Sequence, residues 1–302
     1  MKIGMIGLGR MGSNMTQRLL KKGHSIVGYA RTAESVRRIV DRGAIGAGSL
    51  EELVEHLSPP RIVWLMIPAG KDVDNTIDSL LSLLSIGDII IDGGNSNYKD
   101  TLRRALKLRE KGIHFLDVGT SGGTWGLSKG YCMMIGGEAE VIEEVRPIFE
   151  SLAPEQDKGW GHVGPNGAGH FVKMIHNGIE YGLMQAYSEG LSILRHSPDF
   201  GFDLHQISEI WRYGSVIRSW LLDLIGRALE EGSDLSDVEP FVEDSGEGRW
   251  TVFEAINRDV PAPILTLSLL QRLRSRDKDS YSDRLLALMR EQFGGHSVKR
   301  KE

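Results

Sequence analysis

Residues 2–23 read KIGMIGLGRMGSNMTQRLLKKG, and the fold depends on how this stretch is parsed. KIGMIGL is a short β-rich run, GLGRMG a glycine turn, and MGSNMTQRLLKKG a helix-like stretch closed by Gly23. Gly7, Gly9 and Gly12 fall in GxGxxG spacing, which alone says little in a chain with 37 glycines. Between a strand and a helix the spacing acquires a physical meaning. Gly7 permits a tight turn, Gly9 lets backbone approach a pyrophosphate, and Gly12 lets the helix pack closely on the strand. The helix N-terminus then offers unpaired amides and the positive end of its dipole to phosphates. Gly7, Leu8, Gly9, Arg10, Met11 and Gly12 are therefore expected to hold a dinucleotide.

The same alternation continues outward. SIVGYA, RIVWLMI, DIIIDGG, HFLDVGT and YCMMIGG are β-rich runs, each separated from the next by a helix-like segment. That order predicts an α/β Rossmann-type fold, a mostly parallel, doubly wound sheet. Near Pro165 the β-rich runs stop, and stretches such as SVIRSWLLDLIGRALEEG and SYSDRLLALMREQF carry helical periodicity. Two domains are expected: residues 1–165, binding the dinucleotide, and residues 166–302, an all-α domain for substrate binding and oligomerisation.

Composition narrows the function. At 40% hydrophobic and 25% charged residues the chain is globular, neither disordered nor membrane-like. A net charge of -5 argues against a general nucleic-acid binder, so an anionic partner must meet a local basic cluster. The closing VKRKE reads as a solvated tail. The first residues lack a signal-peptide pattern and no apolar run is long enough to span a bilayer. Cys132 is the sole cysteine, so no intramolecular disulfide forms, which suits a reducing cytosol. Within YCMMIGG it is expected to be a small buried hydrophobe. A cytoplasmic protein without nucleic-acid or membrane partners is the expectation.

The end of the second β-rich run bears on the coenzyme. NAD-binding units ordinarily place an acid there for the adenine ribose. Here GYARTAES puts Ala30 at that position, followed by Arg31 and Thr32. A guanidinium suits a 2′-phosphate, so NADP is favoured, with NAD possible. Ile67, Pro68 and Ala69, where RIVWLMI ends, are expected beside the coenzyme.

Two polar turns follow later runs. DGGNSNY exposes Asn95, and DVGTSGGTWG presents Ser121, Gly122 and Gly123. Successive glycine amides with a serine hydroxyl can cradle an anion. At strand ends of an open α/β sheet they suggest a small acidic substrate over the nicotinamide.

In GHFVKMIHNGIEYG, residues 169–182, the apolar Phe171, Val172, Met174, Ile175 and Ile179 look meant for burial. Lys173, His176, Asn177 and Glu180 nevertheless share one helical stripe, with Tyr181 beside it. Such a stripe is either a solvated face or the wall of a site. In a site, the lysine can serve as a base and the glutamate as an acid. They stand about 10 Å apart along the axis, enough to address two atoms of one short substrate. His176 and Asn177 can orient hydroxyls or a carboxylate. His170 and His176 face different directions and no carboxylate completes a ligand set, so no metal is expected.

Over essentially its whole length the chain resembles the short form of 6-phosphogluconate dehydrogenase, within the β-hydroxyacid dehydrogenase superfamily. The matching motifs are GLGRMGSNM, DGGNSNY, SGGTWGLSKGYCMMIGG, GAGHFVKMIHNGIEYGLMQAYSEG, GEGRWTVFEAINRDVPAP and REQFGGHSV. The resemblance implies oxidative decarboxylation of 6-phosphogluconate to ribulose 5-phosphate, with a nicotinamide coenzyme reduced. It implies that Lys173 is the base toward the third-carbon hydroxyl and that Glu180 protonates the first carbon of the enediol. Asn95, Ser121, Gly122, Gly123, His176 and Asn177 match substrate contacts, Asn95 also touching the coenzyme. Tyr181 and Arg272 match phosphate contacts, Arg274 or Arg276 being alternatives to Arg272 in QRLRSR. Arg290 and His296 match tail residues that reach a site from a partner subunit, implying a homodimer or homotetramer with shared sites. The chain departs from longer relatives at Ser245 and Glu247, which replace a lysine and a threonine, and in lacking their extra C-terminal helical repeat. A β-hydroxyacid dehydrogenase for a non-phosphorylated substrate gives Arg272, Arg290 and His296 no reason to converge. A silent NADP-binding sensor gives no reason to keep Lys173 with Glu180.

Overall fold

The computed structural model describes residues 1–302 except 231, 233, 295, 296, 301 and 302, with the backbone alone of 293 and 294. Its packing divides into two units, Met1–Asn177 and Gly178–Glu302.

In the first unit, strands and helices alternate. β1 (Lys2–Ile6), α1 (Arg10–Lys21), β2 (Ser25–Tyr29), α2 (Ala33–Val40), β3 (Ile45–Ala47) and α3 (Leu50–Glu55) come first. β4 (Ile62–Leu65), α4 (Lys71–Leu80), β5 (Ile89–Asp92), α5 (Tyr98–Arg109) and β6 (His114–Ser121) follow. After a 3-10 turn at Gly123–Trp125 come α6 (Gly126–Lys129), β7 (Cys132–Gly136), α7 (Ala139–Leu152) and β8 (Trp160–Gly164). They form one eight-stranded sheet in the order β3-β2-β1-β4-β5-β6-β7-β8.

Strand periodicity divides the core in two. Ile3, Met5, Ile62, Trp64, Ile89 and Ile91 face a layer holding Met15 and Leu19 of α1 and Val145 and Phe149 of α7. Ile6, Val63, Leu65 and Ile90 face the opposite way, toward Leu53 of α3, Ile77 of α4 and Leu108 of α5. Helices therefore cover both faces, which is why these strands read as continuous apolar runs. Each buried Ile or Leu stabilises the layer by roughly 1.5–3 kcal/mol. The strand order reverses at β1, whose neighbours are β2 and β4, and this opens a crevice at the carboxyl ends of those three strands.

The structure adds detail to the expected doubly wound sheet. Two strands, β3 and β8, lie outside the β-rich runs noted above. The pairing of β6 with β7 is antiparallel, whereas all others in the sheet are parallel. Only the 3-10 turn and the one-turn α6 separate β6 from β7, too little chain for the crossover that a parallel neighbour needs. Cys132 is exposed, contrary to the expected buried thiol. It is the first residue of β7 and the one position of that strand that is not buried.

Helix α8 (Ala168–Arg195) follows β8 directly. The sheet ends at Gly164, but the division in packing comes at Asn177 because the first turns of α8 lie on the strands. A Cβ at Gly169 would stand 2.5 Å from the carbonyl oxygens of Asp117 and Met134. From Gly178 the second unit continues through the rest of α8, then α9 (Leu204–Arg212), α10 (Trp220–Glu230), α11 (Glu247–Asn257), α12 (Pro263–Arg276) and α13 (Tyr281–Gly294). Among its described residues there is no strand. Within α8, Met174 is buried, but Val172 and Ile179 are exposed, contrary to the burial expected of them. Among the described residues no helix is long and apolar enough to cross a membrane.

Candidate active site

The crevice between the ends of β1, β2 and β4 is a cleft of ≈ 390 Å³. The glycine turn forms its floor, each glycine for a different reason. Gly7 has φ +95, and a Cβ there would stand 2.3 Å from the carbonyl oxygen of Met66. A Cβ at Gly12 would stand 1.9 Å from the carbonyl oxygen of Gly7, so only hydrogen lets α1 sit this close to β1. At Gly9 a Cβ would meet nothing within 4 Å: this glycine opens onto space. No side chain caps α1 and no acid lies in its first turn, so its leading amides are left for an anion. These features fit a dinucleotide.

Gly7, Leu8, Gly9, Arg31, Thr32, Ile67 and Pro68 line this cleft. Arg10, Met11, Gly12 and Ala69 adjoin the lining residues in sequence without themselves lining it. Tyr29, Ser35, Asp72, Asn75 and Thr76 line it too and are absent from the sequence reading. For the last three a local signal exists: spaced by three and four residues, they share one face of α4, directly after the Ile67–Ala69 turn.

Asn95 lies exposed at the tip of the turn after β5. The turn is closed over a buried carboxylate: Asp92 accepts hydrogen bonds from the Gly94 amide at 3.1 Å and the Ser96 hydroxyl at 2.7 Å. Arg104 of α5, itself buried, lies 3.5 Å from Asp92, donates to Ser96 at 3.1 Å and to the Gly70 carbonyl at 3.0 Å. Its Nε also donates to Asp74 at 2.8 Å. One guanidinium thus ties the Asn95 turn to the start of α4.

At the end of β6, Ser121 pairs with Cys132 of β7, and the chain then turns through Gly122 (φ +132) and Gly123 (φ +49), conformations that favour glycine. Beneath this turn lies the anchor of α8. Asp117 of β6 is fully buried and accepts hydrogen bonds from the amides of Gly167 at 2.7 Å and His170 at 2.9 Å. Burial pushes its carboxyl above the usual range, against the pull of His170 and of these amides. His170 is also buried, its Nδ1 2.7 Å from the Thr101 hydroxyl. Gly119, Gly136 and Gly169 leave no side chain between strand and helix; a Cβ at Gly136 would stand 2.8 Å from the Gly169 amide.

This anchor holds Lys173 against β6. The lysine is 6% exposed and donates to Asn177 Oδ1 at 2.6 Å. His176 Nδ1 lies 3.4 Å from the same amine and 3.2 Å from Asn177 Oδ1. The stripe is therefore not a solvated face at its first three members: Lys173 and Asn177 are buried and His176 is half-buried.

Further along α8, in the second unit, Glu180 is half-buried and Tyr181 is buried. Tyr181 carries the Arg272 guanidinium 3.4 Å above its ring, and Arg272 donates to the Glu243 carbonyl at 2.7 Å. Arg274 is engaged instead with Ser280, Asp277 and Asp283, and Arg276 lies 3.9 Å from Asp244. The Tyr181 hydroxyl lies 3.3 Å from that of Ser245, which donates to the buried Glu247. Arg290 is exposed on α13, and His296 lies outside the described residues. Among the described residues no group of three or more His, Cys, Asp or Glu could hold a metal ion.

The comparisons with known proteins agree along the whole chain. The family model described as the NAD binding domain of 6-phosphogluconate dehydrogenase matches residues 2–163, and that of the 6-phosphogluconate dehydrogenase C-terminal domain matches residues 169–299. A Haloferax volcanii protein named 6-phosphogluconate dehydrogenase, NAD(+)-dependent, decarboxylating, is 44% identical, with 100% of each chain covered. A Bacillus subtilis relative named NADP(+)-dependent and decarboxylating is 40% identical over 92% of this chain and 62% of its own length. Among solved structures, Plasmodium falciparum 6-phosphogluconate dehydrogenase, described apo, with NADP+ and with 6-phosphogluconate, matches with a TM-score of 0.84 at 32% identity. That match covers 100% of this chain and 67% of the other.

Proposed function

The chain belongs to the 6-phosphogluconate dehydrogenase family, and on that premise we propose that it oxidatively decarboxylates 6-phosphogluconate to ribulose 5-phosphate and carbon dioxide, using NADP or NAD. The observation that carries this reading is a buried lysine whose amine is hydrogen-bonded to Asn177 and whose stem is pressed against Gly119 of β6, two residues before the Ser121–Gly123 turn. The nicotinamide coenzyme, held by the Gly7–Gly12 turn with Arg31, Thr32, Ile67 and Pro68, supplies the hydride acceptor. Every other task falls to the chain's own side chains. Lys173 takes the proton from the third-carbon hydroxyl as that carbon is oxidised. The resulting β-keto acid then releases carbon dioxide, its own ketone accepting the electron pair. Asn177 and His176 hold the lysine amine in place and orient the sugar hydroxyls. Glu180, about two turns further along α8, delivers a proton to the first carbon of the enediol.

Asn95, Ser121, Gly122 and Gly123 bind the carboxylate end of the substrate in this reading, and Tyr181 with Arg272 the phosphate. Support for Arg272 over its neighbours comes from its place on the Tyr181 ring. NADP is favoured because Ala30 stands where NAD-binding units ordinarily carry an acid, with the guanidinium of Arg31 directly after it. Arg290 and His296 complete a site in a partner subunit of a homodimer or homotetramer. The many exposed apolar side chains of the second unit support association: Val216 is 99%, Tyr213 76% and Ile193 73% exposed. A cytoplasmic setting accords with the lone cysteine.

Initial-rate kinetics on 6-phosphogluconate with each coenzyme, tracking released carbon dioxide, test the reaction. One carbon dioxide per reduced coenzyme is expected. Reduced coenzyme without carbon dioxide, or no turnover at all, would refute it.

A further inference from the structure

The coenzyme cleft carries a charge pair that the strand-end fingerprint does not include. Ala30 supplies no carboxylate where β2 ends, so the acceptor that an adenine ribose ordinarily finds there is missing from β2. A carboxylate comes instead from α4: Asp72 Oδ2 stands 3.9 Å from the Arg31 guanidinium, and both residues line the cleft. Among the described residues of that lining, Asp72 is the one acid and Arg31 the one base. Asp74, nearby in sequence, is committed elsewhere, accepting hydrogen bonds from Arg103 and Arg104.

We infer that Asp72 sets coenzyme selection from across the cleft, holding Arg31 in a pair that suits NAD and opposing the 2′-phosphate of NADP. This rests on the reading that the adenine ribose lies at Arg31 and Thr32. With NAD, the carboxylate of Asp72 accepts a hydrogen bond from a ribose hydroxyl, the task usually done from the end of the second strand, and neutralises Arg31. With NADP, the guanidinium turns from the carboxylate to the phosphate, and a dianion lies within a Debye length of a fixed negative charge. The carboxylate therefore damps the NADP preference that Arg31 alone would create, and both coenzymes enter. Asp72 also lies in the first turn of α4, where any acid is favoured by the helix dipole. A role confined to that would change stability and leave the coenzyme ratio unmoved.

Fluorescence titration of NADPH and NADH into the wild type, Asp72→Asn, Arg31→Ala and the double variant tests this without turnover. Asp72→Asn is expected to shift the ratio of the two dissociation constants about 10-fold toward NADPH, and by a smaller factor when Arg31 is already alanine, where only the direct action of the carboxylate on ribose and phosphate remains. A ratio unmoved by Asp72→Asn, or an equal shift without Arg31, overturns the inference. Because the titrations need no substrate, failure to oxidise 6-phosphogluconate would count against the proposed reaction and leave this result readable.

Discussion

The Cβ position of Gly119 lies 2.4 Å from the Cβ of Lys173, closer than two side-chain carbons can approach, so glycine at the one residue sets where the other stands. The carbonyl oxygen of Gly169 is 2.7 Å from the same point, which leaves an added methyl no room on the helix side. Gly119→Ala must therefore displace the start of α8 from β6. A loss of stability of about 1–3 kcal/mol is expected from overpacking. Turnover should fall further, about 10²-fold, because the base moves off its target. Denaturant midpoints and kcat measure the two effects; unaltered kcat would mean that this contact does not position the lysine.

Lys173→Met keeps the length and the apolar stem of the side chain and removes the amine. Turnover of 6-phosphogluconate should nearly vanish while coenzyme affinity stays close to that of the wild type, since the coenzyme cleft does not include residue 173. Steady-state kinetics with a coenzyme titration separate these. A variant that turns over at a comparable rate would strip Lys173 of its role as base.

Arg104→Met leaves Asp92 buried with no guanidinium beside it. Breaking a buried charge pair from one side costs about 3–5 kcal/mol, and a loss of that order is expected in a urea or guanidinium titration. The Asn95 turn and the Gly70 carbonyl lose their common tie at the same time, so coenzyme affinity should weaken as well. Wild-type stability in the variant would show that the network is not structural.

His24 gives stability a pH dependence. Its imidazole is buried, 2.8 Å from the Ser151 hydroxyl and 3.3 Å from the amino terminus. Burial first, and then the charged amino terminus, lower its pKa from the ordinary 6.5. The unfolded chain therefore takes up the proton before the folded one. The contribution is complete above the unfolded value and is lost as pH falls through the folded one. Between about pH 8 and about pH 5, the wild type should lose stability that His24→Gln does not lose, the difference opening below the unfolded pKa. Parallel pH profiles for the two proteins would contradict this.

Much of the site is legible because it is local. The Gly7, Gly9 and Gly12 pattern follows from one turn between a strand and a helix, and the structure shows close backbone approaches at Gly7 and Gly12 and open space at Gly9. The stripe of Lys173, His176 and Asn177 follows from helical spacing alone, and the hydrogen bonds among them join neighbours one to four residues apart. Asp117 is different. Nothing near it in sequence indicates that its carboxylate will cap a helix that starts fifty residues later. The exposure of Val172 and Ile179 is equally unreadable, because periodicity shows that a helix has an apolar side and not whether its own chain covers it.

By itself, the sequence determined the alternating α/β unit, the helical unit after it, the coenzyme turn and the order of polar groups along α8. All of these are set by the backbone geometry of one to a few turns, where spacing in the chain and spacing in space are the same thing. Tertiary structure alone decided that β6 and β7 are neighbours in the register that pairs Gly119 with Met134, that Gly119, Gly136 and Gly169 meet at one point, and that Asp72 of α4 faces Arg31 beyond β2. Each of those depends on which strand lies beside which and in what register, a choice made by packing between segments far apart in the chain.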